Sequence, residues 1–223
     1  MGWQGACCSA SDALTDPITA GPAGLPGLGS CLLVRNVPPG QCSYACVYCC
    51  RGATGRLRLR RRPFHPIAKL ESELRDRLAQ FANLAAPPRF LAVLPGGEPT
   101  LDAHLGAELR RMAGTGHRVA VWTNASLLWR PEVRDALLAA DRVMVKLDAV
   151  DAAMWRLVNR PARQLRLSRV LAGLEAFRAE YAGPLDTETT LVPGLNDSEA
   201  HVRDIAAFLE GLRPSCSYMV VRS

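Results

Sequence analysis

The 223-residue chain has no apolar run near the roughly 18 residues that a membrane span needs. Its first residues, Met1 to Cys8, show no basic region followed by an apolar one, so no secretory signal is visible. The expected location is therefore the cytoplasm, with no membrane partner. Aromatic residues make up only 6%, which leaves few platforms for stacking on unpaired bases. Lysine is confined to Lys69 and Lys146. What the chain does have is apolar mass, 48% against 22% charged. That balance excludes disorder over most of its length. The length suits one domain, or one domain with a tail.

Charge and cysteine are more informative. There are 27 basic and 21 acidic residues, a net charge of +6. Arg51, Arg56, Arg58, Arg60, Arg61 and Arg62 supply that whole excess within one stretch that contains no acid. The remainder is neutral, so the charge is one local feature and not a generally basic surface. Eight cysteines without a secretory signal point to metal or redox chemistry before disulfides.

Residues 1–29 include Gly21-Pro-Ala-Gly-Leu-Pro-Gly-Leu-Gly29. Breakers without a period predict a leader lying on the surface, ahead of a core domain over 30–223. A regular alternation follows. Strands are predicted over Cys31–Val37, Phe90–Leu94, Val119–Thr123, Arg142–Leu147, Leu185–Val192 and Tyr218–Val221. Between them, Ile67, Leu70, Leu74, Leu78 and Phe81 recur at helical spacing behind Pro66. Further helices are predicted from Leu101 to Met112, from Pro131 to Ala139, from Ser168 to Glu180, and after a cap at Asn196 or Asp197. Six strands alternating with helices imply right-handed crossovers and a parallel sheet. They are too few for a closed eight-stranded barrel. The fold class expected is α/β, a partial (βα)6 barrel with a curved parallel sheet; a flat doubly wound sheet is the runner-up.

Ligands of such sheets bind at the C-terminal ends of the strands. The unusual residues cluster there in sequence: Cys42-Ser-Tyr-Ala-Cys46-Val-Tyr-Cys49-Cys50, then Gly96-Gly97-Glu98-Pro99-Thr100, Thr123-Asn124, Lys146-Leu-Asp148, and Pro193-Gly194-Leu195-Asn196-Asp197. Five segments aimed at one rim suggest a single active site. Cys42, Cys46 and Cys49 have the spacing C-x3-C-x2-C, which can turn three soft thiolates toward one point. A Zn site would want a fourth protein ligand, with Cys50, Cys31 or His65 as candidates. A Cys46/Cys49 dithiol pair is a further alternative. Two more cysteines, Cys7 and Cys8, are too few to hold an auxiliary cluster.

The cysteine motif, with Tyr48 before its last cysteine and Gly-Gly-Glu-Pro after the second strand, resembles the radical S-adenosylmethionine (SAM) superfamily over roughly residues 30–221. A narrower likeness joins Tyr48-Cys49-Cys50-Arg51-Gly52, Thr123-Asn124-Ala125-Ser126-Leu127-Leu128, Lys146-Leu147-Asp148-Ala149, Asn159-Arg160-Pro161 and Leu191-Val192-Pro193-Gly194-Leu195-Asn196-Asp197 to the group that contains the wyosine-base-forming tRNA enzymes. Cys50 replaces that group's usual Gln, Ala125 its usual Gly, and the chain stops soon after its sixth strand.

The resemblance implies a [4Fe–4S] cluster on Cys42, Cys46 and Cys49 with one iron left for SAM. Reductive cleavage would then give a 5′-deoxyadenosyl radical that acts on a substrate the sequence does not name, tRNA being one candidate. A low-potential donor resembling flavodoxin or ferredoxin is implied as electron partner. For SAM binding the resemblance points to Gly96, Gly97 and Glu98 around the methionine ammonium. Asn124 and Asp148 would meet the ribose or carboxylate, and Lys146 the carboxylate or Asp148. Tyr48 would lie near the adenine or pack the loop against the sheet. Plainer roles stand beside these: tight turns for the glycines, and turns or caps for Asn124 and Asp148. Asn159-Arg160, after a short helix, would contact substrate or, in the plainer reading, form an ion pair at the surface. The competing reading is a non-catalytic Zn or Fe–S module that binds RNA through the run from Arg51 to Arg62.

Overall fold

The computed structural model describes residues 18–25, 27–49, 54, 56–82, 84–85, 87–94 and 96–222. Seven strands form one sheet: β1 (Thr19–Leu25), β2 (Gly29–Val34), β3 (Phe90–Val93), β4 (Arg118–Thr123), β5 (Arg142–Lys146), β6 (Leu185–Leu191) and β7 (Cys216–Val221). Their spatial order equals their chain order. From β2 onward every neighbour is parallel, in registers such as Leu32 beside Leu91, Val121 beside Val143 and Glu188 beside Tyr218. The order never reverses, so there is no switch point of the doubly wound kind. The sheet instead curls into a half-barrel, as expected for a partial (βα)6 barrel.

Strand alternation sorts the core into two faces. Outward, Leu32, Val34, Leu91, Val93, Val119, Val121, Val143, Val145 and Leu185 form one large buried cluster with the helices. Those helices are α1 (Ile67–Phe81), α2 (Leu105–Ala113), α3 (Pro131–Leu137), α4 (Ala152–Val158), α5 (Leu167–Glu180) and α6 (Glu199–Leu212). Leu70 and Leu74 anchor α1, each burial contributing about 1.5–3 kcal/mol. Inward, Cys31, Leu33, Phe90, Ala92, Ala120, Trp122 and Met144 make a second, smaller cluster that involves no helix. The half-barrel is thus covered on its outside, while its inside is partly open at the strand ends.

Two expectations need correction. The breaker-rich stretch read as a leader joins the sheet from Thr19, where β1 pairs antiparallel with β2. Its register shifts between Ala20 and Ala23, around Gly21 and Pro22, which is how an edge strand accommodates residues that cannot sustain a ladder. Residues 1–17 lie outside the described residues. The cap of α6 is Ser198, which accepts from the His201 amide. Asn196 and Asp197 instead close the preceding turn: Asn196 Oδ1 accepts from Val192 N and Asp197 Oδ1 from Gly194 N.

Candidate active site

All ten residues singled out by sequence line one cavity of about 160 Å³ at the C-terminal ends of the strands. They are Cys42, Cys46, Cys49, Tyr48, Gly96, Gly97, Glu98, Asn124, Lys146 and Asp148. A neighbouring cavity beneath Tyr44 and Trp155 offers only about 10 Å³. Each segment arrives at the end of its own strand, so the parallel topology alone brings residues a hundred positions apart to one rim.

The cysteine loop follows β2 and is folded by its own backbone. Cys49 N donates to Cys46 O, and Arg58 N donates to Cys42 O from the far side of the loop. Burial pushes the Cys46 thiol up to about 11, with Asp148 adding to the effect and hydrogen bonds from Asn159 and Tyr48 opposing it. Cys42 is raised further by burial, then by Glu98 and by the other two thiols. Buried thiols of this kind lose their protons when a cationic centre binds.

Gly96 and Gly97 have a reason the sequence does not display. A Cβ on Gly97 would sit 2.0 Å from the Gln41 carbonyl oxygen, and one on Gly96 would sit 2.7 Å from that of Val37. The glycines let the backbone entering the cysteine loop press against the turn after β3, a contact sealed by Glu98 N donating to Gln41 O at 2.8 Å. Glu98 is buried, and its carboxylate accepts from Thr100 N, Thr100 Oγ1, Thr123 Oγ1 and Asn124 N. Burial raises its pKa while these donors pull it back. Three of these donors meet Oε1 and one meets Oε2, so Glu98 ties β3 to β4 while it lines the cavity.

Asp148 is engaged in the same way. Oδ1 accepts from Thr190 N at 2.8 Å, and Oδ2 from Asn159 Nδ2 at 2.6 Å and from the Tyr48 hydroxyl. Lys146 Nζ lies 3.6 Å from Asp148 Oδ1 and 2.8 Å from Glu188 Oε1, and 4.9 Å from the centre of the Tyr48 ring. Burial works against the Lys146 charge, but Asp148 and Glu188 more than offset it, so its pKa lies above the ordinary lysine value. Lys146 is therefore a fixed cation and not a nucleophile. Asn124 spans the other side of the loop, with Nδ2 2.9 Å from Ser43 Oγ and 3.5 Å from Cys42 Sγ.

Sequence reasoning missed Glu188, Thr190, Trp122 and Arg222, which line the same cavity. The signal was present for two of them. Every residue from Asp186 to Thr190 is polar and buried in β6, an unusual composition for a strand inside a sheet. Asn159, set at the surface by the plainer reading, is 2% exposed. Of the arginine run, Arg51 lies outside the described residues, as do Cys50, Cys7 and Cys8. Arg61 donates to the Thr100 and Asp102 carbonyls, and Arg62 stacks on Phe64 while its backbone pairs with Leu101 and Ala103. The stretch braces the loops behind the cysteines, leaving the Arg56, Arg60 and Arg62 side chains exposed.

The chain matches the family model of the radical SAM superfamily over residues 36–209. It belongs to the radical SAM superfamily. Among individual proteins, it is 35% identical over 202 residues to UPF0026 protein MJ1312 of Methanocaldococcus jannaschii, covering 91% of this chain and 62% of that protein. It is 31% identical over 197 residues to a UPF0026 protein of Helicobacter pylori, covering 87% and 62%. The chain therefore spans less than two thirds of the length of these relatives. Among solved structures, TYW1 with a lysine-pyruvate adduct bound superimposes with a TM-score of 0.66 at 18% identity, over 88% of this chain and 67% of that one. This last likeness concerns the fold.

The radical SAM superfamily uses a [4Fe–4S] cluster and SAM, and the residues present fit both. Among the described residues, no three His, Cys, Asp or Glu side chains converge on one metal-ion position. A mononuclear Zn site needs such convergence. A cubane cluster takes each thiolate on a different iron, so its ligands can line a wall without meeting at a point. Cys31, one proposed fourth Zn ligand, is buried on the inner face of β2 and donates to Gly29 O. The opposite wall, with a fixed ammonium beside two carboxylates, suits a zwitterionic ligand. No helix of the described residues is long and apolar enough to cross a membrane.

Proposed function

We propose that Cys42, Cys46 and Cys49 hold a [4Fe–4S] cluster at this rim and that the chain cleaves SAM reductively beside it. The observation that carries the reading is the single cavity shared by three thiols and by the Gly-Gly-Glu, Asn, Lys-x-Asp and Glu/Thr strand ends. With both groups bound, an electron passed to the SAM sulfonium releases methionine and a 5′-deoxyadenosyl radical, which takes a hydrogen atom from a substrate.

The chain's own residues prepare that event. Lys146 offers the SAM carboxylate a cation that Asp148 and Glu188 keep protonated. Asp148 fixes Tyr48 and Lys146 in place before SAM arrives, so little ordering remains to be done on binding. The Gly96–Gly97 turn presents backbone without side chains, open to the methionine ammonium. Trp122 and the apolar inner face below keep water away from a reactive intermediate. The electron would come from a low-potential carrier of flavodoxin or ferredoxin type. The exposed Arg56, Arg60 and Arg62 beside the cysteine loop favour an anionic substrate, tRNA among them.

Anaerobic reconstitution tests the reading. The protein should take up about four irons per chain, as a cubane requires, and convert SAM to 5′-deoxyadenosine with dithionite. Stoichiometric Zn with no brown chromophore, or a full cluster that leaves SAM intact, would reject it.

A further inference from the structure

Two asparagine amides each reach one of the three thiols. Asn124 Nδ2 lies 3.5 Å from Cys42 Sγ, and Asn159 Nδ2 lies 3.4 Å from Cys46 Sγ. In each case the same nitrogen also donates to an oxygen: Ser43 Oγ for Asn124, and Asp148 Oδ2 for Asn159. One N–H is spent on fixing the amide and the other is left for sulfur.

Asn159 is the more committed of the two. It follows α4, and the backbone from Val158 to Ala162 runs antiparallel along the cysteine loop. Val47 N donates to Val158 O, Ala45 N to Asn159 O and Arg160 O, and Ala162 N to Ser43 O. Tyr44 and Pro161 form a bridge between the same two segments. Trp155 on α4 packs edge-on against Tyr44, with its indole N–H on the Tyr44 hydroxyl. The connector after α4 is thus a clamp on the loop that carries the ligands. Asn159 is its side-chain contact with both the Cys46 sulfur and the strand-end carboxylate Asp148.

We propose that Asn159 is a positioning residue that holds the Cys46 thiolate by an N–H···S bond and raises the reduction potential of the cluster. The inference rests on the cluster proposed above. Reduction adds negative charge that spreads onto the cysteine sulfurs, and a donor aimed at one of them stabilises the reduced state more than the oxidised one. Asp148 makes the aim reliable, because its bond to Asn159 fixes the rotation of the amide. Asn124 acts in the same sense at Cys42.

The test is a redox titration of the anaerobically reconstituted protein, followed by the EPR signal of the reduced cluster in the absence of SAM. Asn159→Leu keeps the size and loses the donor. At a fixed poise its ratio of reduced to oxidised cluster should fall about tenfold, about 59 mV lower for a one-electron couple. Asn159→Asp keeps the shape, but its carboxyl shares a proton with Asp148 and leaves Cys46 Sγ without a donor, so the ratio should shift in the same direction. If Asn159→Leu takes up no iron, Asn159→Asp carries the titration. Loss of iron in both with secondary structure retained assigns Asn159 to holding the loop alone and overturns its effect on the potential. Collapse of the fold in both assigns Asn159 a purely architectural role and overturns the proposal. A loaded variant titrating within twofold of wild type overturns it as well, while leaving the function above intact. A wild-type protein that binds no cluster removes both.

Discussion

Replacing Gly97 with alanine adds one methyl group at a place where the obstacle is backbone. The new Cβ would lie 2.0 Å from Gln41 O, 2.8 Å from Gln41 C and 3.0 Å from Val37 Cγ1. No rotamer change relieves the first two contacts, so the turn after β3 or the approach to the cysteine loop must shift. Overpacking of this kind costs about 1–3 kcal/mol. The displaced Glu98–Gln41 hydrogen bond adds about 0.5–1.5 kcal/mol. Reduced freedom of the unfolded chain returns about 0.4–1 kcal/mol. The net is about 2.5 kcal/mol, or a melting temperature lower by roughly 5–10 °C for a chain of this size. Because Gln41 directly precedes Cys42, iron uptake should fall with it. Gly211→Ala is the matched control. It is exposed within α6 with nothing within 4 Å of a new Cβ, and should gain about 0.5–1 kcal/mol. Thermal unfolding and iron analysis of both variants decide the matter. A Gly97→Ala protein that melts within about a degree of wild type and loads fully would refute the packing argument, since ~1 °C corresponds to well under 1 kcal/mol here.

Cys46→Ala should abolish cluster uptake and 5′-deoxyadenosine formation together, measured by iron content and chromatography; cleavage by a clusterless variant would contradict the ligand assignment. Asp148→Asn should cost about 2–4 kcal/mol, because its NH2 must face either the Thr190 N–H or the Asn159 and Tyr48 donors, and the lost charge weakens the hold on Lys146. Denaturant unfolding and SAM titration would report both losses, and unchanged values in both would contradict the assigned hub role. Glu108 predicts a pH effect. It is fully buried, accepts from Asn36 Nδ2 at 3.0 Å, and burial followed by the charge of Asp102 raises its pKa from 4.5 to about 8. Above the unfolded value the unfolded chain releases this proton while the folded one keeps it, so stability falls as pH rises from about 4.5 to about 8. Glu108→Gln removes that fall and should melt above wild type at about pH 8.5, with the difference shrinking toward about pH 5. A pH-independent difference in differential scanning calorimetry would contradict it.

Most of the half-barrel can be read from alternation of type. Short β-branched runs, helical spacing from Ile67 to Phe81, and polar or glycine residues just past each strand are local signals, and parallel order follows from the crossovers. β1 escaped because Gly21, Pro22 and Gly24 look like a loop; an edge strand tolerates them because only one side of it needs a partner. The cysteine motif announces a site by its spacing. Asn159-Arg160-Pro161 is visible as a motif, but the role of Asn159 is not, since its contact with Cys46 spans 113 residues and its neighbours resemble an ordinary helix end. The two glycines after β3 were legible as unusual, but their cause is the approach of Val37 and Gln41, which only tertiary structure supplies. Glu98 and Asp148 read as ligand-facing carboxylates; both line the cavity, and each also gathers donors from distant segments, a hub role that only tertiary structure displays.

The claim on which the rest depends is that three cysteines leave one iron open to SAM. Its most direct test is hyperfine spectroscopy of the reduced wild-type cluster with SAM carrying ¹⁵N at its amino group. Bound SAM should change the EPR spectrum and show a nitrogen coupling that is absent without it. An unchanged spectrum with no nitrogen coupling, from a protein that carries its full complement of iron, would contradict an iron open to SAM.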